Sequence, residues 1–437
     1  MISYKDITKT RPDVVAILIF ILLHIAIFTL FFIPLSQLFY YAPGSMELSF
    51  AKQMLNGGIP YRDFTSEYPP LALLVFYIPA LIRSSNPAYA LLFASEMMLL
   101  DLIIVYLIAD IASYIQIPVT RTLAIYTLLL LAASPLIVIR FDVLPAMLVI
   151  AALWAFIKGK NVLAWVFVAL GVTAKLYPII IAPAFGFYLL RNHQFRKLVN
   201  GILAFSTTML AGNLPFFLMD PGNFINIITY HGQRGIQCES TYASLVLIEQ
   251  ILGGPAVKGI FNFGSWNITS PLADSLARIA LPFIAVLLLA MYGIYVWIIW
   301  KRTDKTMYLP SGIEPGAAKL IIGYVTLAIA IFMAGNKVFS TQFLIWLIPT
   351  VPLLNRRWQA VYTMLFIIMG AITQFIFPYK YMEYGAFLTP YVLILALRNF
   401  LLILLAVLIV LTNGIKREPA DCQPERVLIT AGKLKRP

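Results

Sequence analysis

The sequence predicts an all-α polytopic membrane protein of about twelve transmembrane helices, and three observations carry that prediction. Of its 437 residues, 61% are hydrophobic and 12% charged, whereas water-soluble domains carry roughly 25% charge. Apolar runs of about 18 residues or more recur, each long enough to cross a hydrocarbon core of about 30 Å, and in lipid only a helix satisfies the backbone of such a run. Lys and Arg, finally, crowd into alternate loops: Lys5, Lys9 and Arg11; Arg121; Lys158 and Lys160; Arg191, Arg196 and Lys197; Lys301, Arg302 and Lys305; Arg356 and Arg357; and the C-terminal tail. With a cytoplasmic N-terminus all of these share one face, the positive-inside bias of a cell-membrane protein with both termini in the cytoplasm. The net charge of +13 is therefore read as topology and not as a nucleic-acid surface.

A cytoplasmic N-terminus of residues 1–13 precedes a transmembrane domain of residues 14–415. The first apolar run, residues 14–39, is too long for a signal peptide and lacks a small-residue cleavage site. In the first outer loop, residues 40–87, Met46, Phe50 and Leu55 alternate with Glu47, Lys52 and Gln53 and predict an interfacial helix stopped by Gly57 and Gly58. Pro69 and Pro70 open a second helix over residues 70–82, too short to span comfortably and placed on the outer surface. Counting it as a span would turn the Lys/Arg clusters outward. Spans are then expected at residues 88–114, 121–138, 143–157, 162–174 and 176–190, with another ending near Met219. A large outer loop, residues 220–270, carries the sequon at Asn267. Four or five crossings follow, with boundaries near Lys301, Asn336, Arg356, Lys380 and Lys416. Residues 416–437, rich in charge and proline, predict a disordered cytoplasmic tail. Cys238 and Cys422 fall on opposite sides of the membrane and cannot pair.

Four polar groups on the outer face ask for a reason. The first loop holds Glu47, Lys52, Arg62, Asp63 and Glu67 within a short stretch of a charge-poor chain. The large outer loop holds His231, Arg234 and Glu239 in TYHGQRGIQCES; His shuttles protons near neutrality and Arg grips phosphate or carboxylate bidentately. Lys175 joins Arg140 and Asp142 at the outer ends of neighbouring spans. Lys337 and Gln342 belong to NKVFSTQ at the start of a span. Any of these could be a solvated or snorkelling residue. Together, acids and cations beside a membrane suit an anionic lipid-phosphate donor, with a carboxylate as base for a sugar hydroxyl and cations offsetting the charge of a departing phosphate. Asp101 and Arg398 lie deep in apolar spans, where charges are costly, and are expected to face the protein interior or a cavity. No Walker loop, HExxH or Gly-x-Ser-x-Gly is present.

The run GGIPYRDFTSEYPPLALL resembles the first outer loop of the polyprenol-phosphate-mannose-dependent mannosyltransferases of glycosyltransferase family 87, within the C-type (GT-C) membrane glycosyltransferases. RFDVLPAMLVIAALW, AKLYPIIIAP, YHGQRGIQCES and NKVFSTQFLIWLIP continue the resemblance in family order over most of the chain. It implies a GT-C helix bundle with two surface helices in the first outer loop. It also implies an inverting hexosyltransferase that moves a sugar, expected to be mannose, from a polyprenyl phosphate to a glycolipid or glycan acceptor at the extracytoplasmic face. The family places an Asp at the start of the first surface helix; here PGSMELSF offers only Glu47, which matches a Glu of the related aminoarabinose transferases and is the candidate catalytic base. By the same resemblance Arg62, Asp63 and Glu67 shape the acceptor and donor pocket. Lys175, His231, Arg234 and Lys337 are candidates for the donor phosphate, with Asp142, Glu239 and Gln342 beside them. The lipid-linked donor is a substrate and no cofactor is implied with certainty; Glu47, Asp63 and Glu67 could hold a divalent cation or none. Membrane lipids are the remaining partners, and nucleic acid is not one. The competing reading is a transporter or lipid-linked-sugar flippase using Asp101 and Arg398 as a midplane path; a silent scaffold is the third.

Overall fold

The computed structural model describes residues 13–35, 46–301, 308–309 and 312–414. The basic N-terminus, the turn before Met46, Arg302, Lys305, Cys422 and the expected disordered tail lie outside the described residues. Helix α1 (Val14–Leu35) starts at Asp13, whose carboxylate accepts the Ala16 N–H at 3.1 Å. The two expected surface helices form as α2 (Met46–Leu55) and α3 (Pro70–Ile82) and pack on each other. Gly57, at φ 85°, ends α2 in the left-handed region, and a Cβ on Gly58 would stand 2.9 Å from the Gln53 carbonyl. Only glycines allow that tight exit.

The chain continues through α4 (Asn86–Tyr114), α5 (Val119–Ala132), α6 (Val143–Ile157), α7 (Asn161–Ala174), α8 (Ala182–Arg191), α9 (Phe195–Met219), α10 (Pro221–Gln233) and α11 (Thr241–Ile251). The last helices are α12 (Pro271–Lys301), α13 (Pro315–Gly335), α14 (Gln359–Gln374), α15 (Tyr381–Gly385) and α16 (Thr389–Gly414). Among the described residues, seven helices are long and apolar enough to cross a membrane, and shorter apolar helices accompany them. The chain is a mostly helical, multi-pass membrane protein. Helix α6 is apolar on every side and buried almost throughout, packed against α4 and α7. Against α7 runs α9, where Gly201 leaves no room: a Cβ there would meet Trp165 at 2.4 Å.

Two features differ from the sequence reading. The span expected over residues 121–138 is two pieces, because α5 ends at Ala132 and a short turn, Leu136–Ile139, follows Pro135, which has no N–H to continue a helix. The stretch 220–270, expected as one large loop, also contains a three-stranded antiparallel sheet in the order β1-β3-β2, formed by Ile236–Gln237 (β1), Lys258–Asn262 (β2) and Ser265–Thr269 (β3). Ile268 of β3 pairs with Ile236 on one side and Gly259 on the other. Positive φ at Phe263 (49°) and Gly264 (67°) closes the β2–β3 hairpin with a primed-type turn. The sequon's Asn267 is buried in β3, its Nδ2 donating to the Asn262 carbonyl at 2.9 Å, so folding hides the acceptor amide.

Asp101 is fully buried and satisfied. His24 Nδ1 approaches its Oδ2 at 2.6 Å, the Tyr126 hydroxyl donates to Oδ1 at 2.5 Å, and His24 Nε2 reaches Thr127 Oγ1 at 2.9 Å. The Thr127 hydroxyl proton goes to the Leu123 carbonyl at 2.9 Å, so Nε2 is the donor to Thr127. This network joins α1, α4 and α5, and Asp101 faces protein as expected.

Candidate active site

The loop after α1 is folded onto the bundle, with α3 packed against α4, α7 and α9. Glu47, in the first turn of α2, is only 2% exposed, and its Oε1 lies 3.4 Å from Arg140 Nη1. That exceeds the ~2.8 Å of a closed charge-assisted bond, so Glu47 is paired in charge but not clamped. Arg140 sits just before α6, in the same segment as Asp142. Asp142 Oδ1 accepts from Lys175 Nζ at 2.6 Å and from Trp346 Nε1 at 2.6 Å, while its Oδ2 is buried with no hydrogen-bond partner among the described residues. Lys175, immediately after α7, is boxed by the rings of Phe141, Phe343 and Trp346 at 4.8, 5.1 and 5.2 Å. Cation–π attraction and the carboxylate together hold a charge that burial alone would expel.

Glu67 is half-buried near Arg234 and Glu47, and burial pushes its carboxyl pKa up. Glu239 is 3% exposed, with its pKa raised by burial against the opposing charge of Arg398. Its Oε2 accepts the Thr341 N–H at 3.1 Å. Arg398, about two and a half turns into α16, donates to the Glu239 carbonyl at 2.5 Å and stacks on Phe339 at 4.0 Å. Asn399 adds a 3.2 Å bond to the same carbonyl. Arg234 bonds Ser265 of β3 through Nη2, and its Nε has no partner among the described residues. Burial lowers the pKa values of Arg234 and Lys337, and the two cations act on each other through space. Lys337 also ties two loops together: its Nζ donates to the Gly232 carbonyl at 2.8 Å and its own carbonyl accepts the Gln237 N–H at 2.9 Å.

Glu47, Glu67, Asp142, Lys175, Arg234, Glu239 and Lys337, from six segments of the chain, are thus near enough for their charges to act on one another in a connected set, with Arg140 among them. Arg62 and Asp63 stand apart from it. They pair with each other at 2.8 Å on the exposed side of the loop, and Asp63 also accepts the Ile59 N–H at 2.7 Å. The Arg62 guanidinium and that N–H hold the Asp63 carboxyl at about 2. Gln342 Oε1 accepts the Thr341 hydroxyl at 3.4 Å, and the His231 side chain lies outside the described residues. No group of three His, Cys, Asp or Glu side chains gathers as a metal would need among the described residues. Sequence reasoning set Arg140 beside Lys175 and Asp142 without assigning it chemistry, used Arg398 only in the transporter reading, and missed Trp346. An arginine inside a long apolar helix was the available signal for Arg398, and it finds its partner at the Glu239 carbonyl, apart from the His24–Asp101 contact.

Residues 64–313 match the model of glycosyltransferase family 87. The chain belongs to that family. The matched stretch takes in Glu67, Asp142, Lys175, Arg234 and Glu239, while Glu47, Lys337 and Gln342 lie outside it. As a family 87 member the chain is a membrane glycosyltransferase. Its structure is also similar to that of ArnT from Cupriavidus metallidurans bound to undecaprenyl phosphate, with a TM-score of 0.49 and 15% identity over 91% of this chain and 77% of that one. The apo state of the same protein matches with a TM-score of 0.44 and 16% identity over 84% and 72%. No curated protein matches the sequence.

Proposed function

We propose that this family 87 enzyme transfers a sugar, mannose being our expectation, from a polyprenyl-phosphate donor to a glycolipid or glycan hydroxyl at the extracytoplasmic face. The observation that carries the reading is Glu47: a buried carboxylate on the first loop helix, 3.4 Å from Arg140 and within the field of Lys175 and Glu67. Glu47 takes the proton of the acceptor hydroxyl as its oxygen attacks the anomeric carbon. The bond from that carbon to the phosphate oxygen breaks on the opposite face, its electron pair leaves with the polyprenyl phosphate, and the anomeric configuration inverts. Lys175 is already matched by Asp142, so the phosphate is assigned to Arg234 and Lys337, two cations that repel until an anion lies between them.

A second reading of the base has its own support, because Asp142 keeps a buried oxygen without a partner among the described residues. The test is transfer from radiolabelled polyprenyl-phosphate-mannose to a membrane glycolipid extract by the purified protein in liposomes, with Glu47→Gln and Asp142→Asn beside it. Loss of transfer in Glu47→Gln with retained donor binding supports the assignment. Full transfer in that variant removes Glu47 from the mechanism, and loss confined to Asp142→Asn moves the base to Asp142.

A further inference from the structure

Helices α6 and α7 carry Asp142 and Lys175 at one end, and at the other they are joined by the Lys158–Lys160 turn. Beside this turn, against the start of α9, lies a cavity of about 550 Å³ lined by Lys160, Asn161, Val162, Leu163, Lys197 and Asn200. A helix of fourteen residues rises about 21 Å, so the cavity is separate from the carboxylates of the candidate active site. Asn161 is 7% exposed. Its Nδ2 donates to the Lys197 carbonyl at 2.5 Å, which fixes the amide's orientation, and its Oδ1 has no partner among the described residues. Lys160 Nζ is held 4.3 Å from the Trp154 ring. Exposed Val162, with Leu163 and Val166, gives the lining an apolar side at this helix end.

We propose that this cavity binds an anionic glycerophospholipid with a hydroxyl-bearing headgroup. The phosphate lies between Lys160 and Lys197, as basic pockets at helix ends hold anionic headgroups. A headgroup hydroxyl donates to Asn161 Oδ1, giving a buried acceptor the partner it lacks. An acyl chain runs along Val162 and Leu163. The sequence places this end of the bundle on the cytoplasmic side by its Lys/Arg content, so the ligand belongs to a different leaflet position from the sugar donor.

The test is titration of the full-length protein in neutral detergent with dioctanoyl phosphatidylglycerol by calorimetry. Dioctanoyl phosphatidylcholine, dioctanoyl phosphatidylmethanol and glycerol phosphate serve as comparison ligands. Saturable binding of phosphatidylglycerol is expected, weakened at least tenfold by K160Q/K197Q and by Val162→Trp, which fills the floor from an exposed position. Folding of both variants is checked by circular dichroism. Phosphatidylmethanol, equally charged without a headgroup hydroxyl, is expected to bind several-fold more weakly. Equal binding of phosphatidylcholine, or wild-type affinity in both variants, overturns the site. Equal binding of phosphatidylmethanol overturns the Asn161 contact, and equal binding of glycerol phosphate makes it a soluble-anion site.

Discussion

Lys175 Nζ lies 2.6 Å from Asp142 Oδ1, closing the facing ends of α6 and α7 with a buried ion pair that shares its carboxylate oxygen with Trp346. Because Asp142 is out of water and Lys175 only 19% exposed, the cost of losing one exceeds the worth of the pair. Lys175→Met is expected to destabilise the protein by about 3–5 kcal/mol, since it strands the Asp142 charge. Adding Asp142→Asn should restore most of that loss. Thermal unfolding in detergent measures it, and a double variant as unstable as the single one would refute the argument.

Glu47 stands 3.4 Å from Arg140, farther than a closed charge-assisted bond. Glu47→Gln is expected to lower the transfer rate by about 10²–10⁴-fold, the usual contribution of a general base. Donor binding should change little, because the amide keeps the shape of the side chain. A rate within a few-fold of wild type would exclude the role.

Burial raises the Glu67 pKa, so between the unfolded value of about 4.3 and the higher folded one the folded protein holds a proton that the unfolded chain has released. The sign follows: stability is full below the unfolded value and declines as pH rises toward the folded one. Glu67→Gln carries no such charge, so its melting temperature should gain on wild type as pH is raised from about 4 to about 8. A difference that stays constant across that range would show that Glu67 does not titrate there. Glu239 shares the direction and the cause.

Gly201 faces Trp165 where α9 crosses α7, and a methyl group placed on its Cα would come within 2.4 Å of the indole. Gly201→Ala is therefore expected to cost about 1–3 kcal/mol as the helices are forced apart. Trp165→Leu should relieve part of that loss. An alanine variant as stable as wild type would mean that the indole moves freely.

Much of the architecture was legible in the sequence because it rests on local signals. The apolar runs gave the long helices, and Gly57 with Pro70 bounded the two loop helices correctly to within a residue. The cluster of Asp142 with Lys175 was also legible, since both stand at the ends of consecutive short helices. What could not be read depends on distant pairings. Glu239 and Arg398 are separated by 159 residues, and nothing local announces their contact. Strands β1 and β3 are two and five residues long and alternate too briefly to show a period. Asp63, prominent in the sequence, turned out to hold its own loop through Ile59 and Arg62, contacts set by backbone geometry that composition does not reveal.

The His24–Asp101 contact has a consequence for how α1 sits in the bilayer. Apart from a few buried side chains, α1 presents an apolar surface to lipid, and such a helix can slide or rotate with little change in its surroundings. One polar match removes that freedom. A shift of a single residue would swing His24 by about 100° and leave Asp101 with Tyr126 alone in a medium that offers no substitute. The contact acts as an indexing pin that sets both the depth and the azimuth of the first helix, and with them the point at which the chain leaves the membrane toward Glu47.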